Sequence, residues 1–385
     1  MSDQQLVRVY QQAVGCLLKE GREYIFNYDV NAQKDDYISL TMPVRAKGYI
    51  HSSLHPIFEM HLPEGYLLSI IKKHFSKLMD TDDFGILRLL ASSVRGRVNY
   101  TEQALQKTPL ILEDLLHPKQ NDLFKELVLR FALSSPLSGV QPKVLAQVEN
   151  KATLRLEDYI VKAWGIDYPQ LALNEFFCML VAKEAGIEVP EFYLSNDDAL
   201  FIMRRFDIDS EGRSIGFEDL CVLQAKSRED KYSGSYEQIA KSIKIFTSPV
   251  YKLRSLQQFF KMVVLNNRLQ NGDAHLKNFG LIYENVNSIR LAPVYDVVST
   301  TFYVKKDIAA LTLLGSKKWW DRKFLIRFGM ESCDLSAKQA NYLYDECEKA
   351  LSSVRKQVII RLENEQNPQK RSLLEHLSYL MNTDK

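Results

Sequence analysis

The segment Asn271-Gly272-Asp273-Ala274-His275-Leu276-Lys277-Asn278 joins a turn signal to an acid and then, five positions after the acid, an asparagine. These residue types suit phosphoryl transfer. An aspartate held on a loop can accept the proton of an attacking hydroxyl, and an asparagine side chain offers a neutral oxygen to a magnesium ion. A hard cation that already carries phosphate oxygens needs few protein ligands, all of them oxygen. The same residues also make an ordinary surface turn with a helix cap, because Asn, Gly and Asp dominate turns. The rest of the chain must decide between the two.

A helix over Ser255 to Gln270 leads into this loop, and Phe279 to Tyr283 leaves it as a strand. Gly280 to Tyr283 and Ile289 to Pro293 flank an Asn285-Val286-Asn287 turn, which predicts a hairpin. Its exit, Val294-Tyr295-Asp296-Val297-Val298-Ser299, sets a lone Asp after a β run. That is the anionic oxygen on a rigid strand end that a second magnesium ligand requires. Upstream, Tyr159 to Trp164 reads as an apolar strand with Lys162 inside it. Lysines are rarely buried without a partner, so Lys162 either points to water from an edge strand or meets phosphate oxygens. Before it, Ser134-Ser135-Pro136-Leu137-Ser138-Gly139-Val140-Gln141-Pro142-Lys143 reads as a loop entering a hairpin. Its small residues and single glycine would let backbone N–H groups approach phosphate, with Lys143 adding charge. An ordinary polar loop has the same composition.

Further on, a helix over Leu171 to Ala185 carries Glu175 near its start and closes at Gly186. Val189-Pro190 and Ala199 to Met203 read as strands. The second runs into Arg204-Arg205-Phe206-Asp207, where a hinge would sit. Helices are expected near Phe217 to Gln224 and Tyr236 to Thr247, and through most of the chain after Asp321, with a loop over Asn364 to Lys370. The basic residues Lys317, Lys318, Arg322, Lys323 and Arg327 read as a solvated face ahead of a nucleic-acid patch.

The first hundred residues read as a small mixed α/β unit. Short β-rich runs (Leu6 to Tyr10, Glu23 to Tyr28, Tyr37 to Met42) are followed by helical patterns from Tyr66 to Met79 and from the Asp80-Thr81-Asp82-Asp83 cluster towards Gly96. His51, His55, His61 and His74 share no ligand spacing and read as packed or solvated side chains. A polar connector from Tyr100 to about Pro118 marks a domain boundary, with an amphipathic helix over Leu123 to Leu133 beyond it. The expected division is 1–100 for the N-terminal unit, 101–125 for the connector, 126–206 for a β-rich lobe and 207–385 for a helical lobe. A formal charge of +2 gives no argument for nucleic acid, and five scattered cysteines fit a reducing compartment. No signal peptide and no run of about 18 apolar residues is present, so a cytoplasmic protein without membrane association is expected.

A loop, a strand lysine, a hinge, an acid-to-asparagine loop and a strand-end Asp follow one another as in protein kinases, with a β-rich lobe before a helical one. The chain also resembles the HipA family, bacterial toxin serine/threonine kinases of type II toxin–antitoxin systems. The resemblance rests on Ser138 to Lys143, Asn174-Glu175-Phe176-Phe177, Arg205-Phe206-Asp207, Gly272 to Phe279 and Leu291 to Ser299. In the N-terminal unit it rests on Phe58, Leu62-Pro63-Glu64-Gly65, Asp82-Asp83-Phe84 and Gly96-Arg97.

The fold this implies is α+β: a bilobal protein-kinase-like fold with a β-rich N-lobe, a helical C-lobe and a small N-terminal α/β subdomain. The resemblance implies Asp273 as catalytic base and Asn278 and Asp296 as magnesium ligands, with His275, Lys277 and Tyr295 lining the phosphate side. Lys162 would contact the phosphates of ATP. Ser138, Gly139, Val140, Gln141, Pro142 and Lys143 would form the nucleotide loop, and Arg204, Arg205 and Phe206 would border the adenine. Family members phosphorylate a loop serine of their own and aminoacyl-tRNA synthetases, and they pair with a HipB-like helix-turn-helix antitoxin through which they reach DNA. One departure stands out. Many relatives carry the autophosphorylated serine three residues before the loop glycine, where this chain has Pro136. Ser138 is then the expected site, with Ser135 and Ser134 close by. The same residues would also serve a catalytically weak corepressor that binds the antitoxin, or a small-molecule phosphotransferase. Intact Asp273, Asn278 and Asp296 favour the kinase, since a scaffold needs no paired magnesium ligands. The Pro136 departure leaves room for the corepressor, and an N-terminal unit built for protein contact weighs against a small-molecule substrate.

Overall fold

In the computed structural model, which describes residues 4–64, 68, 82–101, 110–118, 143–150, 155–163 and 167–383, the chain opens with a five-stranded antiparallel sheet. Its strands are β1 (Gln4–Val9), β2 (Gln12–Glu20), β3 (Glu23–Tyr28), β4 (Tyr49–His51) and β5 (Val98–Asn99), in the spatial order β4-β3-β2-β1-β5. Val7, Val14, Leu17 and Phe26 of these strands form one core with Phe58 of α1 (Pro56–Glu59) and with Phe84 and Leu87 of α2 (Asp83–Leu90). Asp82 caps α2 by accepting from the Gly85 N–H at 2.8 Å. The helices expected from Tyr66 to Met79 and from Leu123 to Leu133 lie outside the described residues. So do Ser134, Ser135, Ser138, Gly139, Val140, Gln141 and Pro142.

Two features of this unit differ from the sequence reading. Strand β2 had no alternating pattern to announce it, because Val14-Gly15-Cys16-Leu17-Leu18 runs apolar through a glycine. Tyr37 to Met42 is a turn closed by a Ser39–Met42 bridge rather than a strand. The reason lies in the other half of the molecule. The Ser39 hydroxyl and the Leu40 N–H donate to the buried Glu218 carboxylate, at 2.6 and 2.8 Å, instead of to a neighbouring strand.

A second sheet contains β6 (Leu110–Ile111), β7 (Lys143–Asn150), β8 (Arg155–Lys162), β9 (Phe192–Leu194) and β10 (Phe201–Arg204), in the order β6-β7-β8-β10-β9. Helix α3 (Leu112–Leu116) follows β6 directly. Strand β8 lies in the middle, so Lys162 is not an edge lysine; its register neighbours are Lys143 on β7 and Phe201 on β10. Val189-Pro190 joins no ladder, and the strand begins at Phe192. Helix α4 (Leu171–Glu184) lies against this sheet.

The helical lobe comprises β11 (Gly216–Asp219), α5 (Leu220–Leu223), α6 (Tyr236–Phe246), α7 (Pro249–Arg268), β12 (Gly280–Tyr283), β13 (Arg290–Leu291), α8 (Arg322–Ser332), α9 (Ala337–Asn364) and α10 (Pro368–Leu380). Phe217 belongs to a strand rather than a helix, because β11 pairs with β12 before Asp219 caps α5 through the Val222 N–H at 3.0 Å. Ser235 and Ser336 start α6 and α9 with reciprocal Ser/Gln caps. Helix α4 is apolar on nearly every side because the sheet covers one face and α9 another. Buried Asp198, between β9 and β10, accepts from Arg361 of α9 at 2.6 Å and Lys370 of α10 at 2.5 Å, tying the β-rich lobe to the C-terminal helices. Among the described residues no helix is long and apolar enough to cross a membrane.

Candidate active site

Lys162 joins the two lobes. Its ammonium lies 2.5 Å from Glu175 Oε1 of α4 and forms a second ion pair with Asp296 Oδ1. The residue is 1% exposed, with the Phe201 ring centroid 5.6 Å away. Burial works against the ammonium, but the Asp296 and Glu175 carboxylates outweigh it and hold its pKa above the ordinary lysine range. A buried lysine flanked by two acids stays charged where a lone one would lose its proton.

Asn174 fixes the neighbouring Glu175. Its Nδ2 donates to the Ser299 carbonyl at 2.9 Å, and its Oδ1 accepts from the Ser299 N–H at 2.8 Å. This two-way clasp binds α4 to the segment just beyond Asp296. Asp296 itself has φ 56°, a left-handed conformation uncommon outside glycine but more open to Asp. One carboxylate oxygen meets Lys162, and the other lies 3.5 Å from Asn278 Nδ2.

The loop from Asn271 to Asn278 is held from beneath by Asn271 itself. The Asn271 amide donates to Asn266 Oδ1 of α7 at 2.9 Å and to the Asp296 carbonyl at 3.4 Å, while its oxygen accepts from the Asp273 N–H at 3.1 Å. The Gly272 N–H donates to Thr300 Oγ1 at 2.8 Å, and a Cβ on this glycine would sit 2.8 Å from the Ile308 carbonyl oxygen and against the Asp307 carboxylate. Only glycine fits so close an approach. The Asp273 carboxylate, about half exposed, accepts from the Tyr232 hydroxyl at 2.5 Å, and His275 Nε2 lies 3.9 Å from the same oxygen. Burial lowers the His275 pKa, against the opposing pull of Asp273, so the ring is neutral near pH 7. Asn278 Oδ1 accepts from the His275 N–H at 3.1 Å.

Asn278 and Asp296 together offer oxygen donors of the kind a hard divalent cation takes. The Asn278 amide nitrogen, 3.5 Å from Asp296 Oδ2, sets the two side chains next to each other. Each oxygen has a second lone pair to give. The pair therefore fits magnesium.

Other expected site residues have different surroundings. The Lys277 ammonium lies 2.8 Å from Glu64 Oε1 and 3.7 Å from Asp219 Oδ2, so it fastens the N-terminal unit to the loop. Tyr295 donates to the Lys277 carbonyl at 2.7 Å and stacks on Phe206 with centroids 5.4 Å apart. Arg204 pairs with Glu157 at 3.1 Å, and Arg205 pairs with Asp207 at 2.5 Å and Asp158 at 3.3 Å. Phe206 thus joins Tyr295, and both guanidinium groups meet carboxylates. Lys143 opens β7 opposite Lys162. Three further residues complete the site: Glu175, Glu64 and Tyr232. Glu175 carried a signal, an acid inside an apolar helix. Glu64 sat in the quoted Leu-Pro-Glu-Gly run, and Tyr232 had no local signal.

Glu64 gives a measurable consequence. Burial pushes its carboxyl up, but Lys277 and Lys231 together hold it down at about 2, against an ordinary value of 4.5. A depressed folded-state pKa contributes stability that is fully present above the unfolded value and is lost as pH falls through the folded one. The Glu64→Gln variant is therefore expected to flatten the loss of stability between about pH 4.5 and pH 2, read by urea unfolding across that range. An unchanged acid slope would show that the pair contributes nothing.

Residues 5–101 match the family model described as HipA N-terminal domain, and residues 135–355 match that described as HipA-like C-terminal domain. Two relatives carry names that propose, without establishing, kinase activity. Y4dM of Sinorhizobium fredii is 28% identical over 348 residues, covering 81% of each chain, and a Haemophilus influenzae protein is 32% identical over 204 residues, covering 47% of this chain and 58% of its own. The fold is shared with HipA of Shewanella oneidensis, solved with HipB and its operator DNA, at TM-score 0.73 and 18% identity over 98% of this chain and 95% of that one. With a family model spanning more than half its length, and both halves matched in order, the chain belongs to the HipA family.

Proposed function

We propose that this chain is an ATP- and magnesium-dependent serine/threonine protein kinase and the toxin member of a toxin–antitoxin pair. What carries this is the meeting of Lys162 with Glu175 and Asp296 beside Asn278, on a loop that also bears the half-exposed Asp273. A magnesium ion held by Asn278 and Asp296 would supply charge neutralisation at the nucleotide phosphates. Lys162, kept charged and oriented by Glu175, binds phosphate oxygens. Asp273 accepts the proton of the acceptor hydroxyl as that oxygen attacks the γ-phosphorus and ADP leaves. Asn271, Gly272 and Thr300 hold the loop so that the base needs no rearrangement, which is where positioning lowers the barrier.

Likeness to a HipA solved with HipB and operator DNA supports a HipB-like helix-turn-helix antitoxin as partner, with DNA reached mainly through it. The protein substrate we propose is a translation component, an aminoacyl-tRNA synthetase. Ser138, or else Ser135 or Ser134, is the proposed autophosphorylation site. A phosphate there adds nearly two negative charges beside the nucleotide and would expel the loop or ATP. The test is phosphopeptide mapping of the purified protein and of a host lysate incubated with it and ATP, with magnesium and with EDTA. Magnesium-dependent phosphate is expected on one of the three serines and on a synthetase. Absence of transfer to any protein, with ATP still bound, would overturn the kinase activity.

A further inference from the structure

Tyr232 ends a short 3-10 turn, Arg228–Tyr232, well before the catalytic loop in sequence, yet its hydroxyl donates to Asp273 Oδ1 at 2.5 Å. Oδ2 of the same carboxylate has no hydrogen-bond donor among the described residues. The phenol is held on several sides. Its ring stands edge-on to His275 with centroids 5.0 Å apart, and its carbonyl accepts from Lys317 at 3.1 Å. The preceding Lys231 is anchored to Glu64 at 3.2 Å. Burial and the charge of Asp273 keep the phenol protonated, and so a donor.

Taking Asp273 as the base, as proposed above, we infer that Tyr232 is its positioning residue: it clamps Oδ1 and leaves Oδ2 to accept the proton of the acceptor hydroxyl. A carboxylate turns easily about its terminal torsion, which is broad and roughly two-fold, so without a clamp the two oxygens exchange places. The third group that orients a base does the same service in other phosphoryl and acyl transfer sites. Neutral His275 and the charged Lys231, Lys317, Glu64 and Asp307 surround the pair, and all of them remain when the hydroxyl alone is removed.

The full-length Tyr232→Phe protein should keep its melting temperature and its ATP KM within about twofold, while kcat for phosphate transfer falls about tenfold. Loss of the clamp falls on kcat alone, with the KM for ATP and for the protein acceptor unchanged, a split that a merely structural role would not give. Wild-type or faster transfer would overturn the clamp and make the phenol an obstruction instead. A lower kcat accompanied by a raised KM or a lowered melting temperature would overturn it in favour of a packing role. An Asp273→Ala protein run in parallel separates the two layers. If that variant still transfers phosphate, the base itself is misassigned; if it is inactive while Tyr232→Phe behaves as wild type, only the clamp fails.

Discussion

Asp273→Ala is expected to lower the rate of phosphate transfer by about 10³-fold while leaving ATP affinity unchanged within about twofold. Asp273 is half exposed and packs against little, and the loop that carries it is fixed by other residues: Asn271 to Asn266, the Gly272 N–H to Thr300, and Lys277 to Glu64. The variant should therefore fold and melt like the parent. What it loses is a proton acceptor placed before the reaction begins. Asp273→Asn gives the sharper comparison, because an amide oxygen can still accept from the Tyr232 hydroxyl but cannot take a proton. If charge and basicity are what matter, both variants are equally inactive in single-turnover transfer, and calorimetry finds ATP bound by each. An asparagine variant that retained most of the activity would mean that the loop only orients the acceptor, and the base would have to be sought elsewhere.

The local patterns that gave this loop away were of two kinds. Gly272 and Asn271 are turn residues with a tertiary purpose, a close approach to Asp307 and a three-way amide clasp, and such residues are conspicuous in any sequence. Asp296 at the hairpin exit was legible because a lone acid interrupts an apolar run. Lys162 was ambiguous until the strand order placed β8 between β7 and β10, since sequence does not say which strand is central. The misreadings have the same cause in reverse. Tyr37 to Met42 has strand residues, but its hydrogen-bond donors are drawn to Glu218, more than a hundred residues away in sequence. Lys277 sits within the motif, and nothing in the loop's own sequence announces its ion pair with Glu64 of the N-terminal unit. Arg204 and Arg205 likewise meet acids on strands that only the folded sheet brings beside them. Spacing reports the chemistry a segment can do; it does not report which of its charges are neutralised from outside.

Lys162→Met tests that neutralisation at the centre of the site. The change removes the cation and leaves the Glu175 and Asp296 carboxylates near each other, with Glu175 buried. Two losses follow. Transfer should fall by about 10³-fold, since a preorganised charge in a water-poor site is worth more than one in solvent. Stability should fall by about 3–5 kcal/mol, the range for removing one partner of a buried ion pair, less whatever protonation of Glu175 recovers. Glu175→Gln keeps an acceptor for the ammonium and leaves Asp296 as its charged partner, so both losses should be smaller, about tenfold in transfer. The double variant Lys162→Met with Glu175→Gln decides the matter. Because the two side chains are in direct contact, their effects should not add. The double variant should be as inactive as Lys162→Met yet more stable than it, because a second carboxylate no longer faces Asp296 without the ammonium between them. Activity is read as phosphate transferred per enzyme and stability as the urea midpoint. If the double variant unfolds no later than Lys162→Met, the buried charge is not the source of the instability, and Glu175 serves to aim Lys162 without stabilising the fold.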